Sequence, residues 1–244
     1  MYAARVYWFI QGMSDVPQDN DWLTEDERGR YAAMAVEKRR EEWRLGRWTS
    51  KRAVSTYLAG AAERLDPVTL DIRAAADGAP QVLVRGEPGP VCISISHRAG
   101  FCLCAVTASD VPVGCDLEKI ESHSNEFIAD YFTVEERSLL LRVLPADHPL
   151  FVSLIWSAKE SALKVVRKGL RRDTRSVIVQ LDPEKTGDGW MPLAIRCVES
   201  SQWFHGWWQT IGGFVLTVSA AVATDKPIDL HRFLGGTGSA DSLR

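Results

Sequence analysis

Val91-Cys-Ile-Ser-Ile-Ser96, Phe101-Cys-Leu-Cys-Ala-Val106 and Val113-Gly-Cys-Asp-Leu-Glu118 are three apolar runs, separated by His97-Arg98-Ala99-Gly100 and Ser109-Asp110-Val111-Pro112. Short apolar runs broken by Gly, Pro and Asp read as the strands of a β-meander. Side chains alternate across a strand, so Ser94 and Ser96 share one face of theirs, and Asp116 and Glu118 share one face of theirs.

Upstream, Val6 to Ile10 reads as a first strand, and Glu37 to Tyr57 has the pattern of a helix. That helix is basic, with Lys38, Arg39, Arg40, Arg44, Arg47, Lys51 and Arg52. A turn at Asp77-Gly78-Ala79-Pro80 precedes a short strand, Gln81 to Val84. Downstream, Thr133-Val-Glu-Glu136 fits a capping box that opens a helix toward Leu144. A longer helix spans Leu150 to Arg167 and stops near Gly169. Ser176–Leu181, Leu193–Val198, Trp207–Thr210 and Phe214–Val222 follow as strands of a second sheet. From Thr224 the chain turns polar and ends in Gly235-Gly-Thr-Gly-Ser, which reads as a loosely held tail. This order predicts two α+β halves, 1–112 and 113–222, followed by a polar tail, 223–244. No repeat is visible at the level of residue identity.

The 244 residues suffice for a substantial core, with 45% hydrophobic and 25% charged residues. A formal charge of −3 argues against a protein that coats nucleic acid, yet allows a local basic site for a phosphate-rich small molecule. No apolar run approaches the ~20 residues of a membrane span, and no signal peptide opens the chain. The five cysteines read as small buried hydrophobes in a reducing cytoplasm, since none has metal-site spacing.

Two carboxylates side by side on an apolar strand repel each other and lose hydration, and a divalent cation resolves both problems. Taken alone, Asp116 and Glu118 are better explained by an exposed strand end decorated with acids. The helix Ile155-Trp-Ser-Ala-Lys-Glu-Ser-Ala-Leu-Lys164 shifts that balance. Trp156, Glu160 and Lys164 stack along one face, flanked by Lys159 and Leu163. On a largely apolar helix, Glu160 is a candidate third metal ligand and Lys164 a candidate phosphate or proton-transfer group. His97 lies in the same meander, and the basic helix adds positive charge. Together these parts describe a place for a magnesium-bound pyrophosphate held by Arg, Lys and His. No Walker-type or Gly-x-Gly-x-x-Gly loop offers another nucleotide cradle.

These residues resemble the Sfp-type 4′-phosphopantetheinyl transferases. Ser94-Ile-Ser96-His97 is similar to that family's Ser-x-Ser/Thr-His block, and Gly114-Cys-Asp116-Leu-Glu118 to its Gly-x-Asp-x-Glu block. Phe132-Thr-x-x-Glu136, then Trp156-Ser-Ala-Lys159-Glu160-Ser-Ala-Leu-Lys164 with Gly169-Leu170, resembles its longest block. The basic helix with Arg39 and Arg47 looks like its amino-terminal anion-binding segment, and Gly78-Ala79-Pro80 like its Gly-x-Pro loop. Some members have lysine where Ala79 stands, so one contact there must be absent or made by another residue.

The resemblance implies a pseudo-dimer of two α+β halves with the active site in the cleft between them. It implies that Asp116, Glu118 and Glu160 ligate Mg2+, and that Arg39, Arg47, Ser96 and His97 hold phosphates of coenzyme A. Gly78, Ala79 and Pro80 would border the adenine, and Lys159 and Lys164 would also face the coenzyme. The reaction implied is transfer of phosphopantetheine to a serine of an acyl, peptidyl or aryl carrier protein. Glu160, directly or through a bound water, or else Lys164, would be the base. A monomeric cytoplasmic enzyme, binding neither nucleic acid nor membrane, is the expectation. Two rivals use the same parts. A magnesium-dependent nuclease would need a broad basic track, and a non-catalytic coenzyme A or carrier-binding module would have lost a carboxylate or Lys164.

Overall fold

A computed structural model describes residues 3–60, 64–167, 173–182, 187 and 189–234. The chain opens with strand β1 (Tyr7–Gly12), a short helix α1 (Glu25–Ala33) and the long basic helix α2 (Glu37–Ala59). Strands β2 (Leu70–Ala74), β3 (Pro80–Val84), β4 (Glu87–Pro88), β5 (Val91–Arg98) and β6 (Phe101–Ala108) follow. Then come β7 (Val113–Lys119) and the helices α3 (Asn125–Tyr131), α4 (Val134–Leu140) and α5 (His148–Val165). Strands β8 (Val177–Gln180), β9 (Met191–Cys197), β10 (Trp203–Ile211), β11 (Phe214–Ala220) and β12 (Ile228–Asp229) complete it. The fold is α+β. One sheet has the order β12-β1-β6-β5, a second β7-β11-β10-β9-β8, and β2-β3-β4 form a small third. The chain changes sheet at the turn between β6 and β7.

The two large sheets face each other across Trp8, Ile10, Leu103, Cys115, Leu117 and Leu216. Helix α2 covers the outer face of the first sheet through Ala53 and Val54 against Phe9, Ile93 and Cys104. Helix α5 covers the second sheet through Leu154, Ala158 and Ala162, packed with Val177, Ile195 and Val215. The order of layers is therefore helix, sheet, sheet, helix; β11 is buried on both faces, whereas β9 and β10 leave one face open at Pro192, Trp203 and His205. Strands β5 and β7, each an edge of its sheet, run beside one another. The Cys115 N–H donates to Ser94 Oγ at 2.9 Å, which stitches the two edges.

The halves repeat one device, although the sequence read by identity alone showed no repeat. Thr24 caps α1 and Thr133 caps α4, and in each helix the N3 glutamate, Glu27 or Glu136, returns a bond to the cap N–H. Both glutamates are buried and each meets a buried lysine: Lys51 Nζ lies 2.6 Å from Glu27, and Lys159 Nζ 2.8 Å from Glu136. Each glutamate also accepts a strand N–H, from Ile72 at 3.1 Å and from Val179 at 2.8 Å. With this pairing in view, Leu23-Thr-Glu-Asp-Glu-Arg28 aligns with Phe132-Thr-Val-Glu-Glu-Arg137, and Trp48-Thr-Ser-Lys51 with Trp156-Ser-Ala-Lys159. The repeat lies in a spacing of caps and buried ions that run-by-run identity does not register.

The stretch read as a loose tail is tied down as far as Leu234. Strand β12 pairs in parallel with β1, and Leu230 and His231 behind it are buried. His231 bonds Asp229 at 2.7 Å and the Ile10 carbonyl at 3.0 Å, and stacks on Phe9. The Gly235 to Ser239 run and the Gly169-Leu170 pair lie outside the described residues.

Candidate active site

The site forms at the seam between β5 and β7, where α5 crosses β7. That crossing is close because residue 114 is glycine: a Cβ built there would stand 1.8 Å from the Ser161 carbonyl oxygen. The approach drops the end of α5 onto the acidic strand. Lys164 Nζ donates to Asp116 Oδ1 at 2.9 Å and to the Cys115 carbonyl at 2.8 Å. Ser96 Oγ, from across the seam, donates to the same Asp116 oxygen at 2.8 Å.

Glu118 is held from two sides. The Trp156 indole N–H donates to it at 3.1 Å, and Arg98 Nε stands 3.2 Å away. Trp156 is itself wedged edge-on against Phe127 and Tyr131, with 5.1 Å between each pair of ring centroids. Arg98 was not among the residues singled out from sequence. Its signal was present, a cation directly after Ser-x-Ser-His, but its pairing with Glu118 depends on how the hairpin meets β7.

The electrostatics carry an excess of negative charge. Glu118 is pushed up to about 7 by burial and then by Asp116, against the pull of Arg98 and Trp156. Glu160 is pushed up to about 7 by burial and then by Asp116, against Lys164. Burial disfavours the Lys164 ammonium, but Asp116, Cys115 and Glu160 outweigh it and its pKa is raised. Asp116 Oδ2 and Glu160 Oε1 are both buried without a hydrogen-bond partner. Among the described residues, no three His, Cys, Asp or Glu side chains already stand as a finished metal shell. Lys164 sits on Asp116, and Arg98 pairs with Glu118. The donor set still fits a hard divalent cation: oxygens only, two of them orphaned, with charge to spare.

The other singled-out residues divide. His97 points the opposite way from Ser94 and Ser96, against α2, where a Cβ on Gly46 would come within 2.5 Å of its Nε2. Its ring opens to solvent but is crowded by protein. That desolvation, then the charges of Lys164 and Arg47, lowers its pKa to about 4. Arg47 lies over the Trp43 ring and 3.9 Å from Glu27. Arg39 is exposed in the first turns of α2, about 12 Å along the helix from Arg47. Gly78, Ala79 and Pro80 line a cavity of about 220 Å3, together with Lys164, Ser94 and Val113. Lys159 does not join the cluster. It is 0% exposed, and its ammonium is spent on Glu136 and the Thr174 and Val177 carbonyls. A helical stripe gives the residues beside Glu160 but not which of them neighbouring elements cover, and here α4 and β8 cover Lys159.

All five cysteines are buried and none is in a disulfide, and among the described residues no helix is long and apolar enough to cross a membrane.

Known proteins resemble parts of this chain. A curated 4′-phosphopantetheinyl transferase of Bacillus subtilis is 29% identical over 114 residues, covering 45% of this chain and 50% of that protein. The match thus spans half the length of that relative. Among solved structures, a holo-(acyl-carrier-protein) synthase of Bacillus anthracis, in complex with CoA (3′,5′-ADP), aligns with a TM-score of 0.36 at 21% identity. That alignment covers 43% of this chain and 96% of that one. The Thermotoga maritima holo-[acyl-carrier-protein] synthase gives 0.37 at 20% identity, over 54% and 76%. Residues 112–219, which contain Asp116, Glu118, Glu160 and Lys164, match the profile of the 4′-phosphopantetheinyl transferase superfamily.

Proposed function

We propose that the chain is an Sfp-type enzyme that transfers the 4′-phosphopantetheine of coenzyme A to a serine of apo carrier proteins, with Mg2+ as cofactor. The observation that carries this reading is the convergence of Asp116, Glu118, Glu160 and Lys164 at the seam, beside the cavity lined by Gly78-Ala79-Pro80. In this reading residues 1–112 supply the nucleotide-binding groups and 113–222 the metal and proton-transfer groups. The enzyme acts as a monomer in the cytoplasm.

Asp116, Glu118 and Glu160 would hold the cation, whose charge offsets theirs and screens the pyrophosphate oxygens. Lys164 stays protonated and neutralises charge growing on the phosphate under attack. Arg47 and His97, with Arg39 at the rim, hold the remaining phosphates. A carrier serine oxygen forms a bond to the phosphorus bearing pantetheine, and the bond from that phosphorus to the 3′,5′-ADP oxygen breaks. The serine proton goes to Glu160, directly or through a bound water. Lys164 is a poor base because its raised pKa keeps it charged.

Intact-mass spectrometry of apo acyl, peptidyl and aryl carrier proteins, incubated with the chain, coenzyme A and magnesium, tests this. One phosphopantetheine should be gained on serine, and neither with EDTA nor with Glu160→Ala. Tight coenzyme A binding with no mass gained by any carrier would instead make the chain a binding module.

A further inference from the structure

Beside the carboxylate cluster, Asp77 and Arg167 line the cavity of about 220 Å3 with apolar walls that include Ala79, Pro80, Ile95 and Val165. Such walls suit the flat face of an aromatic base better than a hydrated phosphate. Arg167 also borders an adjoining cavity of about 220 Å3, so its side chain stands between two open spaces. Its engagements there are weak. The guanidinium is 3.9 Å from Asp77 Oδ2, with both side chains well exposed, and 4.0 Å from Cys92 Sγ. Its backbone is held at φ +53°, a region that disfavours a non-glycine residue. Asp77 is anchored more firmly: the Ala79 N–H donates to its Oδ1 at 3.0 Å, leaving Oδ2 turned toward Arg167.

A carboxylate beside the arginine makes this a poor phosphate site, and Arg47 and Lys164 already supply cations for phosphates. We infer that Asp77 and Arg167 form an acceptor–donor pair that reads the edge of an adenine ring seated in this cavity. The inference rests on the coenzyme A reading above. Adenine presents its N6 amino group as a donor next to N7 as an acceptor. Asp77 takes the amino hydrogen and Arg167 donates to the ring nitrogen. A 6-oxo purine presents two acceptors on that edge, so it faces Asp77 with a repelling oxygen while still satisfying Arg167.

Titration calorimetry on the full chain, with adenosine 3′,5′-bisphosphate and inosine 3′,5′-bisphosphate, tests the pair, since the two ligands carry identical phosphates. The wild-type chain should favour the adenine ligand by at least about tenfold. Asp77→Asn keeps an oxygen for the Ala79 N–H but replaces the repelling charge with an amide, and should erase or invert that preference. Arg167→Ala should weaken both ligands. A wild-type chain that binds both equally, or an Asp77→Asn variant that keeps the preference, overturns the inference and leaves the coenzyme A reading standing. A wild-type chain that binds neither ligand overturns both.

Discussion

Gly114 and Ser161 are the contact on which the site is hung: the strand backbone meets the helix carbonyl so closely that a Cβ would lie 1.8 Å from the oxygen. Backbone against backbone cannot be relieved by a side-chain rotation. A methyl group at 114 must lift α5 away from β7, and with it Glu160 and Lys164 from Asp116.

Gly114→Ala should therefore cost about 1–3 kcal/mol of stability by overpacking. Displacing catalytic groups by about 1 Å can cost ~100-fold in rate, so transfer should fall by at least that factor in the folded fraction. Thermal unfolding and single-turnover transfer measure the two. An alanine variant with native rate would mean that the close approach does not set the site's geometry.

The acidic cluster gives a pH dependence whose sign is fixed. Glu118 and Glu160 have folded pKa values of about 7 against 4.5 for ordinary glutamates, so the fold favours their protonated forms. Stability from this source is complete below about 4.5 and is lost as pH rises through about 7. Without divalent cations the melting temperature should fall between pH 5 and pH 8. Added magnesium should raise it strongly at pH 8 and little at pH 5, because protonated carboxyls do not ligate. Glu160→Gln should flatten both trends. A magnesium shift equal at the two pH values would contradict the assignment of these carboxylates as ligands.

The legibility of this chain in its sequence was uneven for physical reasons. The meander and α5 announce themselves because strand and helix periods are local, and so Asp116, Glu118, Glu160 and Lys164 could be picked out from spacing. Helix α1 carries at Thr24 and Glu27 the same capping box read at Thr133 and Glu136, yet its residues are polar and it went unread. Arg98 meets Glu118, and β12 meets β1, through contacts between distant segments, and a two-residue strand has no period to detect. Lys159 is the sharpest case. A lysine in an otherwise functional stripe invites a ligand role, whereas its burial is set by α4, which sequence spacing does not place.

Lys159 is thus expected to behave as a structural cation. Removing one partner of a buried ion pair strands the other charge, at a cost of about 3–5 kcal/mol. Lys159→Ala should lose that much in denaturant unfolding, as should Lys51→Ala in the matching pair with Glu27. The folded fraction of either variant should keep the wild-type KM for coenzyme A. A Lys159 variant of native stability with a raised KM would return this residue to the binding site.

His97 reports on the anion pocket from the other side of β5. Desolvated by the surrounding protein and acted on by the charges of Lys164 and Arg47, its imidazole titrates at about 4 instead of 6.5 and is neutral at working pH. Neutral imidazole still donates one hydrogen bond, and a bound phosphate offsets the two cations that hold the pKa down. In NMR titrations the His97 resonance should move at a pH well below 6.5 in the free chain. Saturating 3′,5′-ADP should carry that midpoint upward, and Arg47→Ala should raise it without any ligand. Gly46→Ala pushes a methyl group to within 2.5 Å of Nε2, so it should displace the ring and weaken 3′,5′-ADP binding while leaving magnesium stabilisation intact. A midpoint that ignores the nucleotide would place the phosphates away from His97, and the anion would then have to be held by Arg47 and Lys164 without it.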